Sequence, residues 1–284
     1  MKDLKIFIDL TRLNKPIGFL LLFWPCSWGL AFAYNFKQDF NNFWFYLFLF
    51  FLGSVLMRSA GCIVNDIVDK DFDKKVFRTK SRPLASGKIS VEKSLVYVTS
   101  LCFLAFLILI QFNKLTIILG MSSMILAFSY PYMKRITYWP QLFLGLTFNW
   151  GIIMAWTAIN NTVSFEIILL YASAIFWTLG YDSIYGVQDV ADDEIIGLKS
   201  TAIKFKKKIK VFVTMNYLLT SIILLYLFRN EINLNIFTIS LTLFCLTLIY
   251  QIFIFNSRKP ETCLKAFKFN NISGLILFLG ILSI

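Results

Sequence analysis

The chain has 284 residues, is 58% hydrophobic and carries a formal net charge of +12. With a mean hydropathy of +0.69, that composition excludes a soluble globular domain and predicts a polytopic membrane protein. There is no histidine, which excludes Ser-His-Asp chemistry, His-ligated zinc, axial His haem ligation and His proton relays together.

In chain order, apolar runs long enough to cross a bilayer fall at about 16–35, 43–66, 93–112, 115–132, 138–159, 164–187, 210–228, 234–255 and 266–284. A helical span needs about 20 such residues. The last run is the weakest, because Lys265 and Lys268 shorten it. No period-two alternation suggests a barrel. Arg12 and Lys15 precede a full-length span without a small-residue cleavage site, so no cleavable signal is expected. Ser90 to Glu92 reads as the N-cap of the third span. Tyr130-Pro131-Tyr132-Met133-Lys134-Arg135 reads as a compact turn between the fourth and fifth spans. The five cysteines, Cys26, Cys62, Cys102, Cys245 and Cys263, form no CxxC pair and read as small core residues.

The charges order these spans. With the N-terminus in the cytoplasm, 24 of the 28 Lys and Arg fall on the cytoplasmic side. Lys37, Lys114 and Arg229 fall opposite, and Arg58 lies inside the second span. That bias obeys the positive-inside rule and would be scrambled by one missed span. Basic residues scattered over the loops of a membrane protein also argue against nucleic-acid binding.

The acids are concentrated instead. Nine of sixteen lie in two windows, Asn65 to Asp73 and Asp182 to Glu194, each ending a long apolar run on the cytoplasmic side. Carboxylates at a membrane boundary are costly to desolvate and mark function. At a helix C-terminus they also oppose the macrodipole, so ordinary capping does not account for them. Asn65, Asp69 and Asp73 are four apart, as are Tyr185, Asp189 and Asp193. That spacing stacks side chains on one helical face. Two such faces can hold hard divalent cations through oxygen, and such cations hold phosphates. Asp192 and Glu194 read equally well as surface charge. A shift of 120 residues superposes the two windows, a weak internal repeat that fits one bundle of two related halves with a site between them.

Cations near these windows keep two readings. Arg58, about two turns deeper than Asn65, either pairs with an acid or contacts an anionic substrate. Lys134 and Arg135 are either ordinary positive-inside residues or a lid over phosphates. Arg12 and Lys15 carry the same ambiguity. Acids buried between half-repeats would also suit a cation-coupled transporter, although transporter acids gather near the midplane and these sit at helix ends.

The stretch from Met57 to Asp66, continued by Arg82-Pro83-Leu84-Ala85-Ser86-Gly87, resembles the first motif of the UbiA superfamily of membrane prenyltransferases, with its NDxxDxxxD matched by Asn65, Asp66, Asp69 and Asp73. The second window is similar to that family's DxxYxxxDxxxD, matched by Asp182, Tyr185, Asp189 and Asp193 and followed by Lys199-Ser200-Thr201. The resemblance runs from about Arg12 to the last span. It implies an all-α integral membrane enzyme over residues 1–284. About nine transmembrane helices would form one bundle of two weakly related halves, around a central cavity facing the cytoplasm of a bacterial inner membrane. It implies transfer of a polyprenyl group from polyprenyl diphosphate to 4-hydroxybenzoate, as in ubiquinone synthesis; haem, a naphthoate and homogentisate are the alternative acceptors. It implies Mg²⁺ held by Asn65, Asp69, Asp73, Asp189 and Asp193. The diphosphate would be contacted by Lys134, Arg135, Arg12 and Lys199. Asp66, Asp182, Tyr185 and Arg58 are the catalytic candidates, with Asp66 or Asp182 taking the ring proton unless released diphosphate does, and Arg58 facing the benzoate carboxylate.

Overall fold

The computed structural model describes residues 2–38, 41–75 and 79–284, so Arg78, counted above among the cytoplasmic cations, lies outside the described residues. Among those residues there are helices and no strands. Among the described residues nine segments are long and apolar enough to cross a membrane. The chain runs α1 (Lys2–Thr11), α2 (Ile17–Lys37), α3 (Phe43–Val68), α4 (Lys70–Asp73), α5 (Val91–Leu109), α6 (Lys114–Ile136) and α7 (Pro140–Asn160). It continues as α8 (Phe165–Gly186), α9 (Val190–Ile195), α10 (Thr201–Lys204), α11 (Ile209–Leu227), α12 (Ile236–Ile254) and α13 (Pro260–Leu282). The spans lie close to the expected runs. The last is longer than expected, with Lys265 and Lys268 inside α13.

The helix starts follow capping chemistry. Ser90, Asn113, Ser164 and Asn235 each accept a hydrogen bond from the backbone N–H three residues on, satisfying donors that hydrocarbon would leave orphaned. One expectation is corrected. Tyr130 to Arg135 is no turn but the last stretch of α6, with Pro131 inside the helix. Proline lacks one N–H and its ring crowds the carbonyl four residues back, but both effects are local. The bonding resumes beyond it, and Thr137 N–H still reaches the Met133 carbonyl at 2.8 Å. The chain reverses instead between Ile136 and Pro140, where Pro140 opens α7.

Close helix approach holds the centre. A Cβ on Gly29 of α2 would overlap the Ile152 backbone of α7, and one on Gly151 would overlap the Cys26 sulfur. Without a hydrophobic force between helices in lipid, small residues of this kind let backbones meet. Trp28 and Trp177 then pack in the core with ring centroids 4.9 Å apart. A buried polar clasp ties the C-terminal helices together. The Tyr217 hydroxyl and the Asn270 amide both donate to Gln251 Oε1, at 2.7 and 2.8 Å, and Trp177 Nε1 donates to Asn270 Oδ1 at 2.8 Å. These bonds join α8, α11, α12 and α13.

Both acidic windows fall where a long helix breaks. Asp69 lies between α3 and α4 at φ −92° and ψ 1°. Asp189 ends a short 3₁₀ turn, Val187–Asp189, between α8 and α9. Across the first break the register survives, because Asp69 N–H bonds the Asn65 carbonyl at 2.9 Å and Asp73 N–H the Asp69 carbonyl at 2.8 Å.

Candidate active site

The helices enclose one large cavity of about 1460 Å³. Helix α3 supplies a wall along nearly its whole length. The lining residues are Leu49, Phe50, Gly53, Ser54, Met57, Arg58, Gly61, Cys62, Asn65 and Asp66, and then Asp69 beyond the helix end. This repeat of four drifts roughly 40° per step at 3.6 residues per turn, so the lining stripe winds round α3 as it deepens. Twenty residues at 1.5 Å each extend about 30 Å, close to the thickness of the hydrocarbon. The acids stand at one end. The other end is apolar, lined by Leu49, Phe50, Phe112, Trp150 and Met154.

Of the expected site residues, Asn65, Asp66, Asp69, Asp73, Asp182, Tyr185, Asp189, Asp193, Arg58, Arg12, Lys134 and Lys199 all line this cavity. Asp66, Asp69 and Asp73 are buried, whereas Asp182, Asp189 and Asp193 are half-buried. The buried three are held by cations. Arg12 donates to Asp66 at 2.5 Å, and Arg82 reaches Asp66 at 3.2 Å and Asp73 at 2.7 Å. Lys134 pairs with Asp69, which also accepts from Asn65 Nδ2 at 3.0 Å. Arg12 sits at φ 57°, a left-handed conformation that costs a non-glycine residue roughly 1–2 kcal/mol and gathers at functional sites. Burial opposes its charge, but Cys62, Asp66, Tyr185 and Asp73 outweigh that, so its pKa lies above the ordinary arginine value.

Two expected diphosphate contacts are engaged elsewhere in this structure. Arg135 is not a lining residue. It turns behind the site, where it donates to the Val68 carbonyl at 2.7 Å, approaches Asp69 at 3.4 Å and stacks over Phe72 at 4.8 Å. A guanidinium fork suits this, since it meets the orphan carbonyl at the end of α3 and the carboxylate beside it. Lys199 borders the cavity, but its amine donates to the Ile136 carbonyl at 3.2 Å. Its segment is a strap. Lys199 N–H bonds the Lys134 carbonyl at 2.8 Å, Thr201 N–H bonds Gln141 Oε1 at 3.0 Å, and the Thr201 and Ser183 hydroxyls lie 2.6 Å apart. The strap fixes the end of α6 and thereby Lys134.

The first window's acid in the helix, Asp66, was expected as a proton acceptor. Two guanidinium groups already occupy it, an arrangement that positions Arg12 and Arg82. Arg82 is the residue that reading the sequence missed as a site group. The only signal was its place beside Pro83 in the loop after the first window. Asp71 points away, exposed and hydrogen-bonded to Lys74 at 3.0 Å; that bond and the Lys74 charge hold its carboxyl below the usual range.

Arg58 makes no ion pair among the described residues. Its Nη1 lies 2.9 Å from Cys62 Sγ and its guanidinium 5.6 Å above the Phe148 ring centre, while Nε is buried without a hydrogen-bond partner. Asp182 is in electrostatic range of it, with Asp189 as the neighbouring like charge. Tyr185 stacks on Phe267 of α13 at 4.6 Å. The donor set of both windows is oxygen alone, which fits a hard divalent cation and not a soft one. Among the described residues no three of these acids already form a closed metal cage; Lys134, Arg135 and Arg82 neutralise the first window.

The family model described as the UbiA prenyltransferase family matches residues 22–272. The chain is similar to the mitochondrial 4-hydroxybenzoate polyprenyltransferase of Bos taurus, 43% identical over 284 residues, covering 99% of this chain and 75% of that protein. It is similar to the 4-hydroxybenzoate octaprenyltransferase of Vibrio vulnificus, 40% identical over 277 residues, covering 98% and 96%. In fold it matches an apo UbiA homolog from Aeropyrum pernix with a TM-score of 0.78 at 22% identity, covering 92% of this chain and 96% of that one. A UbiA homolog from Archaeoglobus fulgidus bound to GPP and Mg²⁺ matches with a TM-score of 0.72 at 19% identity, covering 98% and 100%.

Proposed function

Because the chain belongs to the UbiA prenyltransferase family, we propose that it joins a polyprenyl group to 4-hydroxybenzoate, at the ring carbon ortho to the hydroxyl, in ubiquinone biosynthesis. The relatives that cover it nearly end to end carry that name. The observation that carries the reading is one cavity in which both acidic windows stand at the polar end, Arg58 lies deeper, and the far end is apolar. A diphosphate, a benzoate and an isoprenoid tail need those three environments in that order.

Asn65, Asp69 and Asp73 on one side and Asp189 and Asp193 on the other are the residues that would hold Mg²⁺. When bound, the ion would offset the charge of the diphosphate and of the leaving group. The chain's own residues do the rest. Lys134 and Arg12 present positive charge toward the developing diphosphate. The allylic C–O bond breaks with its electron pair leaving on the diphosphate. The faces of Tyr185 and Phe267 attract the allylic cation without supplying a nucleophile, and the enclosing helices keep out water that would quench it. The electron-rich phenol ring forms the new C–C bond, and its ring proton passes to Asp182 or to the released diphosphate. Asp182 is the better placed carboxylate, since Asp66 is already held by Arg12 and Arg82.

The test is an assay of membranes containing the protein, with labelled polyprenyl diphosphate, Mg²⁺ and a panel of acceptors. Labelled 3-polyprenyl-4-hydroxybenzoate is the expected product; transfer only to haem, a naphthoate or homogentisate would replace the acceptor. In the same assay excess EDTA stops turnover and added Mg²⁺ restores it. Undiminished turnover in EDTA would falsify the metal role.

In this reading the protein lies in a bacterial inner membrane with its acids facing the cytoplasm, an orientation that the 24-to-3 charge bias supports. Single cysteines replacing Lys75 and Lys204 in a cysteine-free background should react with a membrane-impermeant reagent only in inverted vesicles. Labelling in intact cells would reverse the orientation.

A further inference from the structure

The cavity face of α3 contains two glycines that no packing demand explains. Gly53 and Gly61 belong, with Met57, Asn65 and Asp69, to a stripe that repeats every four residues and therefore winds slowly round the helix, and both line the cavity. At Gly29, Gly120, Gly151, Gly180 and Gly274 an added Cβ would collide with a neighbouring helix; at Gly53 and Gly61 it would meet nothing within 4 Å. A glycine in a helix interior weakens the helix relative to alanine. Here that cost is borne where no neighbour fills the space, so the open volume itself is what the missing side chains preserve. Position matters too. Gly61 is two turns beyond Asp69, and Gly53 is two turns deeper again, past Arg58 and next to Phe50 at the apolar end. At 1.5 Å per residue Gly53 lies about 24 Å along the helix from Asp69.

Resting on the prenyl-transfer reading, we infer that Gly53 is a determinant of donor chain length. The distal isoprene units of a long polyprenyl diphosphate lie along α3 in the groove that Gly53 keeps open. The proximal units pass Gly61. A short donor ends before Gly53 and does not sample it. A branched side chain at 53 would project into the groove and occlude the distal units alone, while one at 61 would obstruct donors of every length.

The experiment compares geranyl and octaprenyl diphosphates as donors, with 4-hydroxybenzoate as acceptor, in the wild type, Gly53→Leu and Gly61→Leu. Wild-type turnover of both donors tests the prenyl-transfer reading by itself. In Gly53→Leu, kcat/KM for the octaprenyl donor should fall by about tenfold or more, the scale of an overpacked site, with the geranyl value within about twofold. In Gly61→Leu both donors should lose by a similar factor. Leucine raises helix propensity at both positions, and the melting temperature in detergent should be unchanged or higher. Equal loss of both donors in Gly53→Leu would overturn the inference. So would no loss with either donor, because the tail would then leave the cavity short of position 53.

Discussion

Asp69→Ala and Asp189→Ala should each lower prenyl transfer by at least about a hundredfold, since substitutions merely behind a metal ligand already cost 10–100-fold. The two residues come from separate windows that line one cavity, and under the proposed metal role neither window alone would hold the diphosphate. Asp69 has a second task, because Lys134 and Arg135 both converge on it. Its removal leaves two half-buried cations without their shared carboxylate, which costs less than the loss of a fully buried partner because solvent screens them. Asp69→Asn separates the effects: it keeps the shape and most contacts while lowering ligand charge, so a correctly inserted Asn variant that is still inactive assigns the loss to chemistry. Asp71→Ala is the contrast. Its side chain is exposed and pairs with Lys74, so transfer should stay near the wild-type rate. An Asp71 variant as damaged as the Asp69 variants would refute the separation of the two positions. The measurement is labelled-product formation normalised to inserted protein.

Arg58→Ala should raise the KM for 4-hydroxybenzoate on the order of 30-fold or more, with little change in the KM for the diphosphate donor. Truncating one partner of a buried charge pair costs about 2–5 kcal/mol, and 2 kcal/mol is roughly 30-fold. Arg58 meets a thiol and an aromatic face but no carboxylate among the described residues, and its Nε lacks a hydrogen-bond partner. A guanidinium held this deep in a membrane protein is costly unless an anion joins it. Arg58→Lys should restore only part, because lysine lacks the bidentate fork. A raised KM for the diphosphate with an unchanged value for the benzoate would move Arg58 to the phosphate end.

The sequence by itself determined the spans, the place of the acids at their ends and the membership of the two motifs. Those are local properties. Hydropathy and positive charge act on each segment as it meets the bilayer, and a spacing of four holds along a helix whatever surrounds it; it held even across the break at Asp69. Tertiary structure alone decided which cation serves which acid. Lys134, Arg135 and Lys199 look alike in sequence, yet one lines the cavity and meets Asp69, one braces Asp69 from behind, and one ties a strap to the end of α6. Arg82 joins Asp66 and Asp73 because its loop folds back over the first window. Long side chains reach many places, so their partners depend on where separate helices come to rest. The proline in α6 misled for a related reason: proline biases one residue, but the bonds of the turns around it and the next helix start decide where the helix ends. Gly53 and Gly61 read in sequence as two more small residues of a span. Only the arrangement of neighbouring helices, which crowds Gly29 and Gly151 and leaves the inner face of α3 open, separates glycines that let helices touch from glycines that keep a groove clear.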